Sequence, residues 1–214
     1  MTDGLASHSN FHRSSLSTEP VNSTPTPSPS LPDKVIAIHE ALSAAKLPHA
    51  IGGALALAYY AEPRATIDVD LNLFVTPEHW KEVVDALSPL GIDVGELDSG
   101  ALLRDGQCRL WWGQNPVDLF FSNVPIHEEM PKRIRRLPFG DTTLPFVSPE
   151  HLAVFKAMFS RPKDWIDIEQ MLVATDQIDL AEIESWLEQM VGRSDPRFAK
   201  LEEIKARLSL DDGA

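Results

Sequence analysis

The segment "RATIDVDLNLFV", residues 64–75, alternates polar and apolar residues with almost no break. Period-two alternation over this length is the pattern of a β-strand with one buried face. It turns Val69, Leu71 and Leu73 toward a core, and sets Arg64, Thr66, Asp68, Asp70 and Asn72 on the opposite face. The segments on either side have a different rhythm. "ALALAYYAE" suits a helix, and "TPEHWKEVVDALSPLG" opens with Thr76 as N-cap and Pro77 in the first turn, a helix start. A strand between helices sets the expectation of an α/β fold.

Extending that reading, "DKVIAIHEALSAAK" is a first helix and "LPHAIGG" a short strand closed by glycines. "ALLRDGQCRLWW" carries Asp105-Gly106 between apolar runs and predicts a hairpin turn there. "NPVDLFFSN" adds a strand with Asn115-Pro116 as its turn. From about residue 126 the pattern predicts helices: "HEEMPKRIRR", then "SPEHLAVFKAMFS" with Ser148 as N-cap, then three more. The division expected is a tail over 1–32, a mixed α/β core over 33–125, and a helical C-terminal part over 126–210 that completes a cleft. Residues 1–32 are rich in Ser, Thr, Asn and Pro, too poor in apolar surface to offset their ordering entropy, and read as disordered.

Composition narrows the function. With 19 basic against 32 acidic residues the net charge is −13, unlike a chain coated for non-specific nucleic-acid binding. A local basic patch or a bound cation is still compatible with a nucleic-acid partner. One cysteine, Cys108, excludes an internal disulfide and points to a reducing compartment. No signal-like start and no apolar run of ~18 residues is present, so a cytoplasmic protein without a membrane partner is the expectation.

The polar face of the 64–75 strand is the chemical question. Carboxylates at i and i+2 share a face and repel unless a cation sits between them. A hard oxygen site with Mg²⁺ relieves that repulsion, whereas a solvent-facing strand edge explains the same two acids without any ligand. Three neighbours favour the first reading. Gly52-Gly53, between a strand and a helix, lets a phosphate approach the backbone closely. Asp118 is a lone acid in the buried-type strand "VDLFF", expensive without a partner. Lys156 is a lysine among core-type residues in "HLAVFKAMF".

Gly-Gly, then Arg-x-Thr-x-Asp-x-Asp, a later strand aspartate, a helical lysine and "RPKDWIDIEQML" together resemble the nucleotidyltransferase fold of the polymerase-β-like superfamily. Within it they are similar to the AbiEii/MenT-type branch of toxin nucleotidyltransferases, over roughly residues 34 to 190. The resemblance implies a small mixed sheet flanked by helices and an Mg²⁺-dependent enzyme that moves NMP from an NTP to a hydroxyl acceptor. Asp68, Asp70 and Asp118 would hold one or two Mg²⁺ ions, with Asp118 helping to deprotonate the acceptor. Gly52 and Gly53 would cradle the phosphates. Lys156, together with Arg64, Thr66, Arg161 and Lys163, would line the nucleotide site. Asp164 or Asp167 would orient the basic residues or help activate the acceptor. Many superfamily members carry Gly-Ser where this chain has Gly-Gly, so a serine contact to phosphate is missing. The branch further implies a toxin of a toxin–antitoxin pair, with a tRNA 3′ end as acceptor and a cognate antitoxin as partner.

The chemistry accounts for these residue types independently. In-line displacement at the α-phosphorus is served by two metals ~3.5–4 Å apart held by acids on neighbouring strands, with cations taking the charge on departing pyrophosphate. Other features leave alternatives open. Lys132, Arg133, Arg135 and Arg136 form the densest basic cluster, suited to RNA if it faces the carboxylates, or to surface pairing with Glu128 and Glu129. Trp111-Trp112 offers a stacking face on one side of its strand. The histidines show no zinc spacing. A protein or small-molecule acceptor, or an inactive fold serving as a binding module, are the competing readings.

Overall fold

The computed structural model describes residues 28–174 and 178–208. The tail read as disordered lies outside the described residues up to position 27. Ser30 starts the ordered chain as a capping box: its hydroxyl accepts from the Asp33 N–H, and the Asp33 carboxylate accepts from the Ser30 N–H at 3.1 Å. Helix α1, Leu31–Ala44, follows and buries Val35, Ile38 and Leu42.

Strand β1 is His49–Ile51 and leads through Gly52 into α2, Gly53–Leu57. Strand β2 is Val69–Leu73. Helices α3, Trp80–Leu87, and α4, Ser99–Asp105, precede β3, Gln107–Trp112, and β4, Asn115–Phe121. Helix α5, Ile126–Arg133, leads to β5, Arg135–Phe139, and β6, Thr142–Phe146. Four helices finish the described chain: α6, Pro149–Phe159; α7, Pro162–Ala174; α8, Leu180–Val191; and α9, Pro196–Leu208.

The six strands form one mixed sheet in the order β3-β4-β2-β1-β6-β5. β2 and β4 run parallel, as do β1 and β6, and the other neighbours are antiparallel. Val69, Leu71, Leu73, Leu110, Val117, Leu119 and Phe121 are all buried and join Ile38, Leu42 and Leu57 in one core. Helix α6 packs on α2, α7 and α8, and α8 also on α9. The expected α/β class, a small mixed sheet flanked by helices and followed by C-terminal helices, is the observed architecture.

Four local expectations are corrected. The alternating strand covers only Val69–Leu73; residues 64–68 lie outside it. Residues 99–105 form α4, not a hairpin arm: Asp98 accepts from the Ala101 N–H and Gly106 closes the helix at φ 67°. A glycine in left-handed conformation ends helices as readily as it makes hairpins, so Asp-Gly alone did not distinguish them. The hairpin turn falls instead at Gly113-Gln114, and Asn115 and Pro116 belong to β4 itself. Finally, the stretch 126–210 is not purely helical, because β5 and β6 complete the sheet from within it. Pro138 and Pro145 argue against strands there, but β5 is an edge strand and β6 meets β1 only at Ile51↔Phe146, so neither proline breaks a central ladder.

Candidate active site

Strand pairing assembles the carboxylates. Asp70 on β2 stands beside Asp118 on β4 in parallel register, and Asp118 stands opposite Arg109 on β3. One row across three strands therefore reads Asp70, Asp118, Arg109. Asp68 lies one residue before β2, its N–H donating to Thr66 Oγ1 at 3.1 Å. Thr66 thus fixes the entry to the strand. Asn72, two residues beyond Asp70, continues the same face and is buried.

The Gly-Gly step has a direct steric cause. The Gly52 N–H donates to the Asp70 carbonyl at 2.9 Å, which carries the β1–α2 corner across the Asp70 side chain. A Cβ on Gly53 would fall 1.7 Å from Asp70 Oδ2, and one on Gly52 would fall 2.6 Å from Asn72 Nδ2. Gly53 also sits at φ 56°, a conformation L side chains rarely adopt.

Asp70 has no side-chain hydrogen bond among the described residues. Burial, then the nearby charges of Asp118 and Asp68, push its carboxyl up to about 6, against the pull of Lys156 and Arg161. Both oxygens of Asp118 are held by Arg109, at 2.7 Å each. Lys156 Nζ donates to Asp167 at 2.6 Å, and Arg64 reaches the same carboxylate at 3.3 Å. Arg161 is bidentate to Asp164, at 2.6 and 3.1 Å.

These groups face connected space. A narrow cavity of about 50 Å³ is lined by Gly53, Asp70, Asn72, Lys156, Arg161 and Asp164, with a wall of Phe120, Phe155 and Phe159. A second, of about 370 Å³, is lined by Asp70, Asp118, Arg109 and Arg161 and shares Phe120 and Phe159 with the first. The size of the second suits a small molecule. A third, of about 380 Å³, adjoins through Gln107, Cys108 and Arg109 and is lined by Asp93, Glu96, Asp98 and Trp111. Burial, and the Asp118 charge, raise the Cys108 thiol to about 11, so it is no nucleophile near neutral pH.

Of the sequence candidates, Asp70, Gly53, Lys156, Arg161 and Asp164 line one cavity, and Asp118 the next. Gly52 backs Asp70, and Asp68 adds its charge beside it. Arg64 turns to Asp167 and Thr66 to the Asp68 backbone, so neither lines these cavities. Lys163 is exposed and lines neither. Arg109 was not among the candidates. Its only signal was the hairpin register, which a turn at Gly113-Gln114 would have supplied and one at Asp105-Gly106 could not.

A divalent cation can be tested against the donor set. Among the described residues no group of three or more His, Cys, Asp or Glu side chains stands ready to hold an ion. Asp70, with no hydrogen-bond partner among the described residues, two acids beside it and a raised carboxyl, has free hard-oxygen donors, and Asp118 is its register neighbour. The residues fit Mg²⁺, which takes one or two carboxylates and completes its shell with phosphate and water.

No protein-family model matches the sequence, and no curated protein sequence matches it significantly. Solved structures do match. The chain aligns with a solution structure of the antibiotic-resistance factor ANT(2″)-Ia at TM-score 0.55 and 18% identity, covering 82% of this chain and 97% of that one. The chain has the nucleotidyltransferase fold. A crystal structure of ANT(2″)-Ia with adenylyl-2″-tobramycin aligns at TM-score 0.48 and 16% identity over 83% of this chain and 98% of that one. Lincosamide antibiotic adenylyltransferase LnuA, lincomycin-bound, aligns at 0.46 and 15% over 67% and 97%. No helix among the described residues is long and apolar enough to cross a membrane.

Proposed function

We propose that this protein is an Mg²⁺-dependent nucleotidyltransferase that moves NMP from an NTP to a hydroxyl acceptor. The observation that carries the reading is the row of Asp70 and Asp118 on neighbouring parallel strands, with Asp70 partnerless and raised to about 6 at the mouth of a cavity lined by Lys156 and Arg161.

Asp70 and Asp118, with Asp68, would hold the metal. When bound, Mg²⁺ would neutralise the carboxylates and take charge from the NTP phosphates. Lys156 and Arg161 face the same cavity and stabilise the triphosphate and the charge that grows on pyrophosphate. Asp167 and Asp164 hold those cations in place through hydrogen bonds of 2.6 Å each. The absence of a Cβ at Gly53 leaves room for the Asp70 carboxylate, and its absence at Gly52 leaves room for the Asn72 amide. Asp118 helps take the proton from the acceptor hydroxyl. The acceptor oxygen forms its bond to the α-phosphorus as the α–β bridging bond breaks, and pyrophosphate leaves.

The charge distribution favours a small, amine-bearing acceptor. Trp111 is 44% exposed, on the strand face it shares with Arg109, beside a groove walled by Asp93, Glu96 and Asp98 that runs into the Asp118 cavity. Carboxylates attract an amine and the indole face stacks on it or on a flat ring. The second reading, a toxin acting on tRNA 3′ ends with a cognate antitoxin, rests on the Gly-Gly and Arg-x-Thr-x-Asp-x-Asp resemblance. It called for the 132–136 basic cluster at the carboxylates. Lys132 pairs with Glu129 and Arg133 with Glu182, while Arg135 and Arg136 line cavities beside Tyr60 and His39, away from Asp70.

The test is transfer of label from α-³²P-NTP, one nucleotide at a time, with Mg²⁺ and either total RNA or a panel of amine-bearing hydroxyl compounds. Asp70-dependent label on small compounds, weakened by Trp111→Ala, supports the first acceptor reading. Label on RNA moves the assignment to the second. No Asp70-dependent label from folded protein with either class overturns the transferase.

A further inference from the structure

The cations around the carboxylates fall into two kinds. Lys156 and Asp167 are 6% and 4% exposed, and Arg161, itself 54% exposed, holds the fully buried Asp164 through both oxygens. Those pairs tie their cations to the helical wall. Arg109 differs in its partner. Its side chain, 52% exposed on the outermost strand, β3, grips Asp118 bidentately, and Asp118 faces the cavity. Among the described residues it is the sole cation hydrogen-bonded to any of Asp68, Asp70 and Asp118.

We propose that Arg109 is the resident counter-cation of the carboxylate cluster, exchanged for the divalent ion when metal and nucleotide enter. The inference rests on the proposed metal site. Asp70, with the like charges of Asp118 and Asp68 acting on it, is in a site that needs compensating charge even without metal, and Arg109 supplies it from the half-exposed edge strand. A metal cannot take Asp118 while both its oxygens are occupied, so loading requires the guanidinium to let go. A half-exposed ion pair is weak enough to break at small expense, whereas a buried pair such as Lys156–Asp167 is not. Arg109 also lines the acidic groove beside Trp111, so the released guanidinium has Asp93, Glu96 and Asp98 along its path. Loading the metal would thereby move one positive charge from Asp118 toward that groove.

The test is Mn²⁺ binding to full-length protein without nucleotide, read as free Mn²⁺ by electron paramagnetic resonance. Arg109→Gln is expected to bind Mn²⁺ about three- to tenfold more tightly than the unaltered protein, the range of a half-exposed bidentate pair. Arg109→Lys, which keeps the charge but not the fork, is expected in between. Arg161→Gln removes a cation near Asp70 that is tied elsewhere, and so measures the field effect alone; it is expected to change affinity less than Arg109→Gln. In an Asp118→Asn background, Arg109→Gln is expected to add nothing. Equal effects of Arg109→Gln and Arg161→Gln, or no gain from Arg109→Gln in protein that binds Mn²⁺ through Asp70, overturn the exchange while leaving the transferase standing. No Mn²⁺ binding in any of these proteins overturns the metal site and the exchange together.

Discussion

Two aspartates on facing parts of the molecule are treated in opposite ways. Asp167, on α7, is buried and receives Lys156 at 2.6 Å and Arg64 at 3.3 Å. Asp70, on β2, has like charges for neighbours and no hydrogen bond to its side chain among the described residues. A fold that can bring two cations to one carboxylate is capable of satisfying the other. It leaves Asp70 without a hydrogen bond and places Gly53, where a Cβ would fall 1.7 Å from Asp70 Oδ2, against its carboxylate. Asp167 is spoken for by its cations, and Asp70 is the acid left without a hydrogen-bond partner among the described residues.

That contrast breaks if Asp70 proves dispensable. Asp70→Asn is expected to lower nucleotidyl transfer by about a thousandfold, measured by label incorporation at saturating NTP, while Asp167→Asn acts through folding. Lys156→Met should lose roughly 3–5 kcal/mol of stability by leaving a buried carboxylate short of its main partner, read from urea unfolding. The same measurement on Asp70→Asn without metal should move the other way, a gain of roughly 2–3 kcal/mol at neutral pH, because the raised carboxyl is strained as an anion. Loss of stability in that variant would show that Asp70 has a structural partner after all.

The pH dependence sharpens the comparison. Asp70 binds its proton more tightly folded, at about 6, than at its ordinary 3.8. Its contribution is full below 3.8 and lost as pH rises through 6. His127 and His151 run opposite: burial above all lowers each to about 4 from 6.5, so their contribution is full above 6.5 and lost as pH falls toward 4. His127 Nε2 and both His151 nitrogens lack hydrogen bonds among the described residues, with His151 Nε2 3.5 Å from Glu182. In metal-free protein the two slopes oppose each other between pH 4 and 6. Asp70→Asn should expose the histidine slope, so its Tm falls more steeply on acidification than that of the unaltered protein. Parallel curves would remove Asp70 as the titrating group. The smallest effect is expected at Ser148, whose hydroxyl caps α6 by accepting from the His151 N–H at 3.3 Å. Ser148→Ala should cost about 1 kcal/mol in urea unfolding, with transfer activity kept.

Much of the site was legible because it depends on short-range pattern. Val69, Leu71 and Leu73 are buried as alternation required, and Lys156, singled out as a lysine among core-type residues, lines the Asp70 cavity. The Ser148-Pro149 helix start is where its chemistry placed it. What pattern misread was local signal shared by two structures. Gly106 fits a helix end and a hairpin turn equally, and the prolines of β5 and β6 hid strands whose tolerance for them comes from their place at the sheet margin.

The sequence by itself determined which residue types were present and which had to face a core: an α/β chain with paired acids on one strand and a lone acid on another. Only the tertiary structure decided who meets whom. Register set Asp118 between Asp70 and Arg109, and the packing of α6 beside α7 gave Lys156 to Asp167. The physical reason is range. Hydrophobic periodicity acts over a few residues and survives in the sequence, whereas a carboxylate's charge state depends on neighbours about fifty or a hundred positions away in the chain, which pairing alone brings within a few ångströms.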